Sequence, residues 1–181
     1  MTFNDYILKE GRGAFQKIGA VVLDIDGVLT DGRFGYDGSE NEIKFFHARD
    51  GHGIKLAIRA DLKVGALSGR ASSANRKRAE ELGFTFLYEG KKDKQAAFEV
   101  LLKENSLKSE EVLYIGDDLV DIPVFREVGL AVVVNDAPAY LDEFCDFRTD
   151  LPGGHGAVRE VIEILLKEQN RWDTLIQKYI G

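Results

Sequence analysis

The sequence predicts an α/β fold in which a parallel β-sheet is covered by helices on both faces. Three observations carry this. Short apolar, β-branched runs recur at 21–23, 64–67, 84–87, 112–115 and 130–134, as strands buried on both faces require. Helix-like segments lie between most of them, at 54–62, 71–82, 95–104 and 119–128, with another at 158–167; this alternation marks a parallel sheet. Polar, chemistry-bearing residues follow directly on three of the runs, where open α/β sheets bind their ligands.

The first run, Ala20-Val21-Val22-Leu23, leads into Asp24-Ile25-Asp26-Gly27-Val28-Leu29-Thr30-Asp31. Two carboxylates two positions apart at a strand end can divide the work, one as nucleophile or metal ligand and one as acid/base. A calcium loop is excluded. Counted from Asp24, Gly27 falls at loop position four instead of six, and Gly35 stands where a Glu is needed. Next, residues 33–47 break the alternation. Aromatic and β-branched residues flank Asp37-Gly38, a favoured turn dipeptide, and predict a β-hairpin inserted after the first strand, beside the acidic motif. So short a hairpin needs a partner surface.

The second run ends in Ser68-Gly69-Arg70, the helix at 95–104 is preceded by Lys91-Lys92-Asp93-Lys94, and the run at 112–115 ends in Gly116-Asp117-Asp118-Leu119-Val120-Asp121. Two aspartates, a hydroxyl, a lysine and an acidic cluster on one rim suit phosphoryl transfer through an aspartyl-phosphate. Lys94 supplies a cation and Ser68 a donor for the phosphate oxygens. Carboxylates facing a phosphate repel it, so Asp24 and Asp117, with Asp118 beside them, imply Mg²⁺.

The chain of 181 residues has the size of one domain, expected to span 1–181 with the hairpin as a flap. Hydrophobic residues make up 44% and charged residues 30%, a globular composition. A net charge of −7 disfavours a nucleic-acid partner. No apolar run approaches membrane-spanning length and no secretory segment follows Met1, so an unprocessed cytoplasmic protein with no membrane partner is expected. The single cysteine, Cys145, reads as a packing residue.

These motifs, in this order, resemble the haloacid dehalogenase superfamily of phosphohydrolases. More narrowly, the stretch from about Ile18 to Lys167 is similar to the 3-deoxy-D-manno-octulosonate 8-phosphate phosphatases. The stretch from Phe46 to Gly51, with Arg49-Asp50-Gly51, is a further mark of the likeness, and the hairpin and Gly153-Gly154-His155-Gly156-Ala157-Val158-Arg159-Glu160 are what narrow it. The resemblance implies a Rossmann-like, haloacid dehalogenase-like fold, with Asp24 as nucleophile and Asp26 as general acid/base. It implies Ser68 and Lys94 as phosphate-binding donors. Mg²⁺ falls to Asp24, Asp117 and the backbone carbonyl of Asp26, and Asp118 supports the metal's waters.

Many members of that superfamily carry a cap domain between these motifs. Only the hairpin and one helix fit between Asp31 and Ser68, and one helix and one strand between Ser68 and Lys94, too little for a domain. A capless site needs another wall, and the resemblance implies homotetramers whose hairpins pack together so that neighbours share active sites. Arg70 and Arg78 are candidates for the carboxylate of a sugar-acid phosphate, because Arg matches that group bidentately. Relatives acting on nine-carbon sugar acids tend to have an acidic residue where Arg70 stands, which favours the eight-carbon substrate, an intermediate of lipopolysaccharide precursor synthesis. A phosphatase for a nonulosonate 9-phosphate or another sugar phosphate, and a non-catalytic oligomerisation module, are the competing expectations.

Overall fold

The computed structural model describes residues 1–38 and 42–181. Its elements run, in chain order, α1 (Phe3–Glu10), β1 (Ala20–Leu23), β2 (Gly35–Tyr36), β3 (Glu42–Ile43), α2 (Ala48–Arg59), β4 (Lys63–Leu67), α3 (Ser73–Leu82), β5 (Phe86–Tyr88), α4 (Lys94–Glu104), β6 (Val112–Gly116), α5 (Ile122–Phe125), β7 (Leu130–Val133), β8 (Phe147–Arg148), α6 (Ala157–Glu168) and α7 (Trp172–Ile180). Six strands form one parallel sheet in the order β5-β4-β1-β6-β7-β8, and β2 pairs antiparallel with β3 in a separate hairpin. The predicted parallel sheet and the hairpin after its first strand are both present.

The strand period of two sorts the core into two layers. Val21 and Leu23 of β1, with Val64, Ala66, Leu113 and Ile115, face α2 and α6 and meet Ile54, Leu56, Val158, Val161, Ile162 and Leu165. Ala20 and Val22, with Leu67, Val112, Tyr114 and Val133, face α4 and α5 and meet Ala97, Phe98, Leu101, Val124 and Phe125. Both faces of the sheet are therefore dry, and the strands read as unbroken apolar runs. Among the described residues no helix is long and apolar enough to cross a membrane.

β1 lies between β4 and β6, with chain connections leaving to opposite sides. Its carboxyl end is the switch point at which α/β sheets open a crevice. After β1 the chain turns tightly around one atom: the amides of Val28, Leu29 and Thr30 all donate to the carbonyl of Ile25. Gly27 makes that turn possible. Its φ is +96°, and a Cβ there would stand 1.9 Å from Asp117 Oδ2.

The predicted helix at 54–62 begins six residues earlier, at Ala48. Its first two turns carry Asp50, Gly51 and Gly53, which argue against a helix locally. Tertiary contacts override that preference. Asp50 is buried and accepts from the amides of Gly156 and Arg159, capping α6 from across the interface. A Cβ at Gly51 would meet the Arg78 guanidinium at 2.4 Å, and one at Gly53 would meet Arg159 at 3.0 Å. The Arg-Asp-Gly and Gly-Gly-His-Gly segments are thus the two sides of the α2–α6 contact. The segment expected as one helix over 119–128 is instead a 3₁₀ turn (Leu119–Asp121) followed by the short α5, which has Pro123 in its first turn.

Candidate active site

Asp24 follows β1, Ser68 follows β4, Lys94 opens α4 and Asp117 follows β6, so the sheet delivers all four to one rim. A cleft of about 340 Å³ there is lined by Asp24, Asp26, Ser68, Arg70, Lys94 and Asp117 among others. The remaining candidate, Arg78, does not line it. Arg78 sits on α3 with its guanidinium over the Phe46 ring at 5.4 Å, and lines an adjoining depression with Lys44 and Phe45.

At the base of the cleft lies a buried ion network. Lys94 Nζ is 2.9 Å from Asp24 Oδ2 and 2.6 Å from Asp121 Oδ1. Asp121 is fully buried and saturated: its Oδ1 also takes the Tyr114 hydroxyl at 2.6 Å, and its Oδ2 takes the amides of Asp117 at 2.9 Å and Asp118 at 3.2 Å. Burial works against charge on Lys94, but the carboxylates of Asp24 and Asp121 outweigh it and hold the ammonium above its ordinary range. The second oxygen of Asp24, Oδ1, accepts the Ile25 amide at 2.7 Å.

The carboxylates themselves are crowded. Burial, and then the neighbouring charge of Asp121, push Asp24 up to about 6 even against Lys94. Burial, Asp24 and Asp121 push Asp117 up to about 8. Among the described residues no hydrogen-bond donor reaches the Asp117 carboxylate. Oxygens of Asp24, Asp117 and Asp121 all lie within 4.8 Å of one another. Hard oxygen ligands carrying excess negative charge, with one carboxylate unpaired, match the needs of a divalent cation.

Asp26 stands nearer the rim. Its Oδ1 accepts from Lys44 Nζ at 2.5 Å, and its Oδ2 is buried without a hydrogen-bond partner. Ser68 Oγ is engaged within its own turn, accepting from the Arg70 amide at 3.2 Å and donating to the Arg70 carbonyl at 3.1 Å. The Arg70 guanidinium pairs with Glu42 and covers the Phe34 ring at 4.3 Å. Sequence reasoning did not single out Lys44 or Glu42. Both lie in the hairpin, and the only signal was charge at alternate positions in an otherwise aromatic strand.

Residues 83–162 match the profile of the haloacid dehalogenase-like hydrolases. Over 158 residues, 87% of this chain and 84% of the relative, the sequence is 42% identical to the 3-deoxy-D-manno-octulosonate 8-phosphate phosphatase KdsC of Escherichia coli (strain K12). The chain belongs to the KdsC family of haloacid dehalogenase-like phosphatases. Among solved KdsC structures, that of Moraxella catarrhalis, in complex with magnesium, phosphate and a KDO molecule, superposes with a TM-score of 0.90 at 32% identity, covering 98% of this chain and 99% of the other. The cobalt-bound phosphatase of Haemophilus influenzae gives 0.88 at 39% identity, covering 93% and 99%. The likeness expected from the motifs is thus borne out, and this KdsC-family chain carries each of the four motif residues on the rim where β1, β4 and β6 end.

Proposed function

We propose that this chain hydrolyses 3-deoxy-D-manno-octulosonate 8-phosphate to 3-deoxy-D-manno-octulosonate and phosphate, with Asp24 as nucleophile and Mg²⁺ as cofactor. The observation that carries the chemistry is the buried Asp24 carboxylate, 2.9 Å from the Lys94 ammonium and crowded by Asp117. The substrate rests on the likeness to the KdsC phosphatases and on Arg70 in the cleft wall.

In this reading Asp24 attacks phosphorus and forms the aspartyl-phosphate while the bond to the ester oxygen breaks. Asp26 gives its proton to that oxygen. Water then attacks the aspartyl-phosphate, Asp26 takes up the water's proton, and inorganic phosphate leaves with Asp24 restored. Lys94 keeps positive charge beside the reacting phosphorus, and the Ser68 hydroxyl turns from the Arg70 carbonyl to a phosphate oxygen. Asp24, Asp117 and the Asp26 carbonyl would hold Mg²⁺. When bound, it offsets the carboxylate charge and lets a dianionic ester share the site. Asp121, already saturated by four donors, braces Lys94 and the turn at 117–118.

One domain spanning 1–181, a cytoplasmic location and a homotetramer complete the reading. The lone Cys145 is unpaired, as suits a reducing compartment. The hairpin exposes Phe34, Tyr36, Ile43 and Phe45, the last at 77%, an apolar face that fits hairpins from several copies packing together beside each cleft. Of the hairpin expected over 33–47, residues 39–41, just past the Asp37-Gly38 turn, lie outside the described residues. Phosphate release from a panel of sugar-acid phosphates tests the substrate. Fastest turnover of the eight-carbon ester supports the reading. A preference for a nonulosonate 9-phosphate would redirect it, and no turnover of any ester would overturn it.

A further inference from the structure

The hairpin does more than flank the cleft. Strand period places Glu42 and Lys44 on one side of β3 and its continuation, and Ile43 and Phe45 on the other. The apolar side faces outward, with Ile43 and Phe45 exposed. The charged side faces the catalytic carboxylates. The Lys44 side chain has no exposure to solvent, an unfavourable place for an ammonium unless it is paired. It is paired twice, with Asp26 Oδ1 at 2.5 Å and with Glu42 Oε2 at 3.7 Å. The other Glu42 oxygen takes the Arg70 guanidinium. The Phe34 ring lies 5.5 Å from Lys44 Nζ and 4.3 Å from Arg70, so it walls the two cations from above.

A buried carboxylate oxygen without a partner calls for an explanation. Asp26 has one, Oδ2. Its sister oxygen accepts a charge-assisted hydrogen bond from the buried Lys44 ammonium. We infer that Lys44 is a positioning residue of this active site: by holding Asp26 at Oδ1 it presents Oδ2 as the oxygen that exchanges protons with the leaving group and with water. Glu42 and Phe34 hold Lys44 in turn. The hairpin is therefore part of the proton-transfer apparatus. This rests on the role proposed for Asp26. No atom is exchanged with Lys44. The proton passes from Asp26 Oδ2 to the departing ester oxygen as the P–O bond breaks, and returns to Oδ2 from the attacking water.

The test compares two esters in single-turnover experiments on the full-length, Mg²⁺-loaded protein. One is a primary alkyl phosphate, whose alkoxide must be protonated to leave. The other is p-nitrophenyl phosphate, whose phenolate leaves without a proton. The first-turnover release of alcohol or phenol reads only phosphoryl transfer to Asp24. A misplaced acid should slow the alkyl ester about 100-fold. Lys44→Met is expected to lose that much with the alkyl ester and less than about 5-fold with the aryl ester, by the same principle. Lys44→Arg should recover most of the loss, and Glu42→Gln should show a smaller loss with the same selectivity. If Lys44→Met does not fold, by circular dichroism, the ratio of the two esters in Lys44→Arg and Glu42→Gln decides. Equal losses with both esters, or an unchanged alkyl rate, would overturn the positioning role and leave the phosphatase reading standing. A wild-type protein inactive on both esters would overturn that reading, and this inference with it.

Discussion

Replacing Asp121 with alanine separates a brace from a metal ligand. Its carboxylate serves four donors: Lys94 Nζ and the Tyr114 hydroxyl at 2.6 Å each, and the amides of Asp117 and Asp118 at 2.9 and 3.2 Å. Removing one partner of a buried ion pair costs about 3–5 kcal/mol. Here the lower end applies, because Lys94 keeps Asp24 at 2.9 Å. The buried phenol loses its acceptor and adds about 1 kcal/mol or more, while the two amide hydrogen bonds are only partly buried and add less. Loss of the Asp121 charge also relieves Asp24 and Asp117, both of which it pushes upward, and returns part of the cost. The sum is about 3–4 kcal/mol, a large fraction of the 5–15 kcal/mol typical of a domain. Equilibrium urea unfolding without Mg²⁺ measures it. A loss below about 1 kcal/mol would refute the brace, as it would fall short of even one buried hydrogen bond. So would unchanged metal-free stability accompanied by a collapse in Mg²⁺ affinity, the signature of a ligand.

Two further outcomes follow from the site and the hairpin. Burial and the neighbouring carboxylates push Asp24 up to about 6 and Asp117 up to about 8, against 3.8 for a free aspartate. From 3.8 up through the raised values the folded chain holds protons that the unfolded chain has released, so metal-free stability falls as pH rises through that window. Mg²⁺ must displace the same protons. Its apparent affinity, measured by calorimetry, should therefore rise from about pH 5.5 to about pH 8.5, and a flat profile would contradict the crowded-carboxylate account. Phe34→Ser with Phe45→Ser should shift light scattering from a tetramer to smaller species; a monomeric wild type with full activity on the sugar-acid phosphate would remove the shared-site idea.

Much of this was legible in the sequence, for physical reasons. Strands β1, β4, β6 and β7 lie within about a residue of their apolar runs because each is buried on both faces, and Asp24, Asp26, Ser68, Lys94 and Asp117 were readable because they sit just past strand ends or at a helix start. What was missed depended on partners distant in sequence. The first two turns of α2 contain two glycines and become helical because α6 needs the Asp50 carboxylate and the space beside Gly53. β8 is two residues long and offers no period to read. α1 rests on a capping box between Thr2 and Asp5 and on Tyr6 packing against Phe15 and Phe147. Arg78 was grouped with Arg70 by residue type, but the side chain follows α3 to Phe46 and the back of the hairpin. Lys44 belongs to no motif of its own, and only its contact with Asp26, eighteen positions away, singles it out.

Asp24 is the group proposed to carry the phosphoryl group. The direct measurement is Mg²⁺-dependent phosphate release from 3-deoxy-D-manno-octulosonate 8-phosphate by wild type and by Asp24→Asn, with circular dichroism to confirm the fold and excess EDTA as the metal-free control. The wild type should turn over the ester and lose that turnover in EDTA until Mg²⁺ is restored, and a folded Asp24→Asn protein should show none. Substantial phosphate release by purified Asp24→Asn would contradict that role.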